Sequence, residues 1–187
     1  EWFKHIYVAH YLTNAHSYST SFGASWFHGS EYRKPPLVAD FKEEKTLVFA
    51  QEDCKAHEEI QTNKKPLEQV AHGWDPTATD VLSGVYKLRT LSYTPNQPVH
   101  FLIYSSGKNW KLEATPLGKE MLTLPIGNIE GMKLKLLTYM GRELQQKGDL
   151  FIWIATTHPQ HPMLQMEGKL KWGSVRMLLD RFTPGKG

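Results

Sequence analysis

Gly148 to Phe182 reads GDLFIWIATTHPQHPMLQMEGKLKWGSVRMLLDRF, and this stretch decides the fold. Asp149 to Thr156 is an almost unbroken apolar run. As a strand it points Leu150, Ile152 and Ile154 to one face and Phe151, Trp153 and Ala155 to the other. A strand apolar on both faces is central, covered on each side by protein or by a ligand. Pro159 and Pro162 cannot sit in a central ladder, so Thr157 to Pro162 is a loop. Met163 to Lys171 then alternates. Leu164, Met166 and Leu170 are expected on one side, with Gln165, Glu167, Lys169 and Lys171 toward water. Trp172-Gly173 turns the chain, and Ser174 to Phe182 runs back, with Val175, Met177 and Leu179 sharing a face. The stretch predicts three successive antiparallel strands, with a frayed tail at residues 183–187.

Working upstream, Met132 to Tyr139 alternates almost perfectly. Pro98 to Tyr104, Lys108 to Thr115 and Lys119 to Leu124 read as strands, the last two separated at Pro116-Leu117-Gly118. One principal helix stands out. Thr79 or Asp80 can cap it, Val81, Leu82, Val85 and Leu88 form an apolar stripe, and Lys87 and Arg89 sit near its C-terminal end. Glu52 to Trp74 is polar; it could hold a hairpin but reads more as an exposed excursion. Thr46 to Ala50 is the best strand of Leu37 to Gln51, His16 to Arg33 reads as a strand and a loop, and Trp2 to Leu12 reads as a strand.

Composition limits the function classes. The chain has 187 residues and a net charge of +3, with the basic residues dispersed. Nothing resembles a nucleic-acid arm, and no apolar run is long enough to span a bilayer. The one cysteine, Cys54, excludes an internal disulfide. The length predicts one domain over 1–187. Glu1 opens directly into Trp2-Phe3, and a targeting segment is expected upstream.

Several local patterns together carry a family resemblance. The helix carries Asp80, Leu82, Ser83, Tyr86, Leu88 and Arg89. An L-x-L-P-x-G turn follows at Leu122 to Gly127. Then come Trp153-Ile154, Pro162 and Gly173-Ser174-Val175, with Ala155 where members often have Ser. As a set these resemble the bacterial exported family known as domain of unknown function 3108, over Asp75 to Phe182. The resemblance implies a mainly β, antiparallel, curved, open barrel-like sheet with one principal α-helix, in a protein exported to the periplasm or outer envelope. It implies no catalytic residues. It also implies an extra N-terminal strand pair, which is not recognisable in the sequence before Leu37.

Two clusters could hold a metal. His158 and His161 lie three apart in the Pro-bounded loop, and Cys54 and His57 lie three apart in the polar excursion. A structural zinc needs four ligands and a catalytic one three, so neither pair is a site by itself, and solvent-exposed turns are the bland reading. Asp80 reads as a helix cap. Phase-bound catalytic motifs are absent: there is no Gly-rich phosphate loop, no G-x-S-x-G and no H-E-x-x-H.

The aromatics Phe101, Tyr104, Trp110, Phe151 and Trp153 fall on strands. They either fill the interior or line a pocket for a lipid, acyl chain or sugar. The expected function is therefore a non-enzymatic envelope protein, without a cofactor, that binds an apolar or amphipathic ligand or an envelope partner. The competing readings are a metal-assisted hydrolase and a purely structural interaction module, whose sign would be an exposed sheet edge.

Overall fold

The structure, a computed structural model, describes residues 8–17, 22–34, 39–145, 148–170 and 173–183. The expected strand start at Trp2, the turn at Trp172 and the tail from residue 184 lie outside them. Among the described residues the chain is mainly β, with antiparallel sheets and one principal helix. The strands are β1 (Val8–Ser17), β2 (Ala24–Lys34), β3 (Phe41–Ala50), β4 (Lys55–Thr62), β5 (Glu68–Gly73), β6 (Thr79–Asp80), β7 (Val99–Ser105), β8 (Lys108–Leu124), β9 (Gly127–Met140), β10 (Glu143–Leu144), β11 (Leu150–Ala155), β12 (Met163–Leu170) and β13 (Gly173–Leu178). The helix α1 spans Val81–Thr90. The strands are shared between two sheets rather than one. The first has the order β1-β2-β3-β4-β5; the second has the order β13-β12-β11-β9-β8-β7-β6, with β10 paired to β9.

The chain divides into two compact units. One runs up to Gly84 and includes the hairpin tip Tyr104–Asn109; the other comprises Val85–Ile103 and the chain from Trp110 onward.

In the first unit the polar excursion is a regular hairpin, β4 with β5, exposed over most of its length. It pairs onto β3 with Phe49 opposite Ala56 and Leu47 opposite Glu58. Its period of two is disguised because one inward residue is a carboxylate. Glu58 is 4% exposed; it is ion-paired to Lys45 and lies 3.2 Å from His72 Nε2. A buried charge is tolerated when it is paired. Phe49 lies between Trp74 and Tyr104, with ring centroids 5.2 and 5.4 Å away. The backbone of Asp75 donates to Asn109 Oδ1 at 3.0 Å, which ties the hairpin tip to the start of the helix approach.

Asp80 caps α1. Its Oδ1 accepts from the amides of Leu82 at 2.9 Å and Ser83 at 3.0 Å, and its other oxygen accepts from the Ser83 hydroxyl. These are the amides a helix start leaves unpaired. The apolar stripe is displaced from the expected one. Val81 is exposed, while Ser83, Gly84 and Leu88 are buried.

In the second unit β11 is central, as its double apolarity requires. Ile152 and Ile154 join Leu88, Leu112, Ala114, Met132, Leu134 and Leu136 in one core. Phe151, Trp153 and Ala155 join Leu124 and Leu164 in another. The alternation expected of β12 does not hold at its start. Trp153 is opposite Gln165 and Ile154 opposite Met163, so Leu164 is an extra residue in a bulge. A bulge resets the phase of a strand. Leu164 therefore packs with Trp153 while Met166 packs with the first core, and Gln165, expected in water, is buried.

The break expected at Pro116-Leu117-Gly118 is likewise a bulge. β8 continues through it, with Pro116 opposite Leu134 and Gly118 opposite Lys133. Gly118 takes a φ of 125°, which a side chain would resist.

Candidate functional site

A cleft of about 260 Å³ opens in the second unit, beside the end of α1. Its apolar lining is Leu91, Tyr93, Met132, Ile154 and Ala155; its polar lining is Arg89, Lys119, Thr156 and His161. The strands supply the floor because Met132 on β9 and Ile154 on β11 are register partners. The chain after the helix supplies one wall. There Tyr93 donates its hydroxyl to the Leu88 carbonyl at 2.5 Å. Burial raises the Tyr93 pKa well above the ordinary phenol value, so the group stays a neutral donor and its ring forms an apolar wall.

The loop Thr156 to Pro162 supplies the opposite wall, and Arg89 holds it. Its Nη2 donates to the Gln160 carbonyl at 2.5 Å and its Nε to the His161 carbonyl at 3.0 Å. Arg89 thus meets two loop carbonyls. The Tyr86 ring lies 4.5 Å from the guanidinium, within cation–π range. His161 has a φ of 42°, the left-handed region uncommon for a residue with a side chain. Its Nδ1 is 2.9 Å from the Ala155 carbonyl. A carbonyl only accepts, so Nδ1 carries the proton. The amide of Ala155 in turn donates to the Pro162 carbonyl at 2.9 Å, closing the loop base.

Lys119 reaches the cleft from β8. Its Nζ is 3.0 Å from Glu130 Oε1, which also accepts the Thr156 hydroxyl at 2.7 Å. The Thr156 bond first, and then the Lys119 bond, hold the Glu130 carboxyl below the ordinary range.

The five aromatics named from the sequence fall in different places. Phe151 and Trp153 are together, ring centroids 6.2 Å apart, and both are buried. Lys133 lies over both rings and also bonds Glu120, which accepts from Trp153 Nε1 at 2.9 Å. Phe101 packs on the first core of the second unit under Lys87. Trp110 is half-buried on β8. Tyr104 is buried in the first unit.

Of the metal candidates, His161 lines the cleft. The His158 ring packs edge-on against Phe182, and its Nδ1 accepts the Gln160 amide. Cys54 is exposed in the turn before β4, and His57 lies 3.5 Å from Asp53. Among the described residues no group of three or more His, Cys, Asp and Glu is placed to hold a metal ion, nor is any helix long and apolar enough to cross a membrane. Sequence reasoning missed Leu91, Tyr93, Lys119 and Met132. They come from three separate stretches of chain, and no local pattern joins them.

These features define a mainly β, antiparallel protein in which α1 borders a small apolar cleft with a cationic rim. The family described as "Protein of unknown function (DUF3108)" matches residues 38–180, and the chain belongs to it. No curated protein and no solved structure matches the chain.

Proposed function

We propose that this chain is a non-enzymatic binding protein of the bacterial cell envelope, exported to the periplasm or outer envelope, that takes an apolar or amphipathic ligand in the cleft of its second unit. The observation carrying this reading is the lining itself. Five apolar residues form its floor and walls, and four polar ones gather at Arg89, Lys119, Thr156 and His161. Ligand pockets characteristically combine apolar walls with a few placed polar groups. Phe151 and Trp153 support the β11 floor from behind rather than touching ligand.

Native mass spectrometry of the protein from its own host, with denaturing extraction of anything bound, tests the reading. A co-purifying lipid or small molecule that is lost on filling the cleft with Leu91→Trp supports it. A ligand retained by that variant places binding elsewhere. Fractionation of the host tests the envelope assignment.

A second reading rests on β13. It is an edge strand of the second sheet and all six of its residues are exposed, Val175, Met177 and Leu178 among them. An open edge of this kind suits pairing with a partner strand, and the interaction-module reading would use it.

A further inference from the structure

We propose that the ligand of this cleft is an anionic amphiphile: one apolar chain ending in a carboxylate, with the headgroup held between Arg89 and Lys119. The inference rests on the cleft reading above and adds the class of ligand.

Charge comes first. The lining holds two cations, Arg89 and Lys119, and no carboxylate. Among the described residues Arg89 has no acidic partner. Its bonds go to two backbone carbonyls, which orient the guanidinium and leave its net charge uncancelled. Lys119 does have a partner, Glu130, but the pair is open to solvent, with the Lys119 side chain 54% exposed. Exposed pairs of this kind contribute little. Glu130 keeps its second bond to Thr156 when Lys119 turns to a ligand. The rim can therefore offer an incoming anion both a guanidinium and an ammonium, the donors that make short, charge-assisted bonds. A cationic headgroup would meet two like charges, and a neutral one would leave them unused.

The hydrogen-bonding groups of the rim agree. The Tyr93 hydroxyl is occupied by the Leu88 carbonyl and the Thr156 hydroxyl by Glu130. His161 has spent Nδ1 on Ala155. The charged donors remain as the groups best able to select a headgroup.

Size comes next. About 260 Å³ lies below the span of roughly 300–1,000 Å³ common for drug-sized ligands. That space suits one short chain or the end of a longer one, and not two chains side by side. The chain would lie along Met132, Ile154 and Leu91, with the Tyr93 ring on its flank.

Calorimetric titration of the full chain with three eight-carbon probes tests this: octanoate, octyl glucoside and octyltrimethylammonium, each below its micellar concentration. Methyl NMR of Met132 and Ile154 locates the binding. Octanoate is expected to bind about tenfold or more tightly than the neutral probe, as a charge-assisted bond implies. Its affinity is expected to fall with added salt. In Lys119→Gln, an exposed position, the preference for octanoate is expected to shrink while octyl glucoside binding stays. Arg89→Lys keeps the charge and separates its role in loop geometry from its charge. Equal binding of all three probes overturns the headgroup inference and leaves the cleft reading standing. Methyl signals of Met132 and Ile154 that no probe moves overturn the cleft reading itself.

Discussion

Arg89 Nε lies 3.0 Å from the carbonyl oxygen of His161, 72 residues further along the chain. This bond joins the last turn of α1 to the loop that walls the cleft. A lysine at the same place keeps the charge but cannot present two donors in a fixed fork. Arg89→Lys is expected to lower stability by about 1–2 kcal/mol, seen in urea denaturation. Amide exchange of Ala155 and His161, both bonded within the loop, is expected to accelerate. Unchanged exchange there would show that the loop holds itself without the arginine.

Tyr104 is 2% exposed, and its hydroxyl has no hydrogen-bond partner among the described residues. Burial first, and then the charge of Glu58, push its pKa up to about 12. A buried donor without a partner costs about 1–3 kcal/mol. Tyr104→Phe keeps the edge-on packing against Phe49 and is expected to raise stability by about 1 kcal/mol, whereas Tyr104→Ala is expected to lower it by about 3–5 kcal/mol. A destabilised phenylalanine variant would mean the hydroxyl is bonded after all.

Leu88 and Val81 both belong to the apolar stripe expected of the helix, yet Leu88 is 1% exposed and Val81 is 46% exposed. Leu88→Ala is expected to cost about 2–5 kcal/mol through the cavity it leaves. Val81→Ala is expected to stay within about 0.5 kcal/mol. Thermal or urea unfolding of the two variants compares them directly, and equal losses would contradict the observed facing of α1.

Glu120 accepts from Lys133 and from Trp153 Nε1, and these two bonds, Lys133 first, hold its pKa below the ordinary value. In the unfolded chain that value is about 4.3. Between the two values the unfolded chain binds more protons, so the stabilisation is fully present above the unfolded pKa. It is lost as pH falls through the folded one. The Trp153 indole N–H resonance is expected to titrate with a midpoint below about 4.3, and Glu120→Gln to abolish that titration. A midpoint at or above the ordinary value would contradict the bonded arrangement.

Little of the candidate site was legible: none of the five aromatics named as ligand-binding lines the cleft. His161 stood out as a metal candidate and Arg89 by its place at the helix end, but the sequence could not join them, because the helix and the loop meet only once β11 and β12 are paired. Phe151 and Trp153 were rightly placed on a face of β11 opposite to Ile152 and Ile154. Whether that face met ligand or protein depended on Leu164, and the bulge at Leu164 was invisible in an alternating string. Lys119 and Met132 carried no signal at all, since a lysine and a methionine on strands are ordinary.

The sequence by itself determined what depends on neighbours along the chain: the strand at β11 with two apolar faces, the prolines that end it, the helix with Asp80 at its start, and the family that these patterns mark. Only the tertiary structure decided what depends on distant partners. It put the strands into two sheets, set the bulges at Leu117 and Leu164 that shift the phase of β8 and β12, and buried Glu58 by supplying Lys45 and His72. The physical reason is the range of each effect. Side-chain alternation and helix capping act over two to four residues, while register, charge pairing and the walls of a cleft are set by residues brought together from far apart.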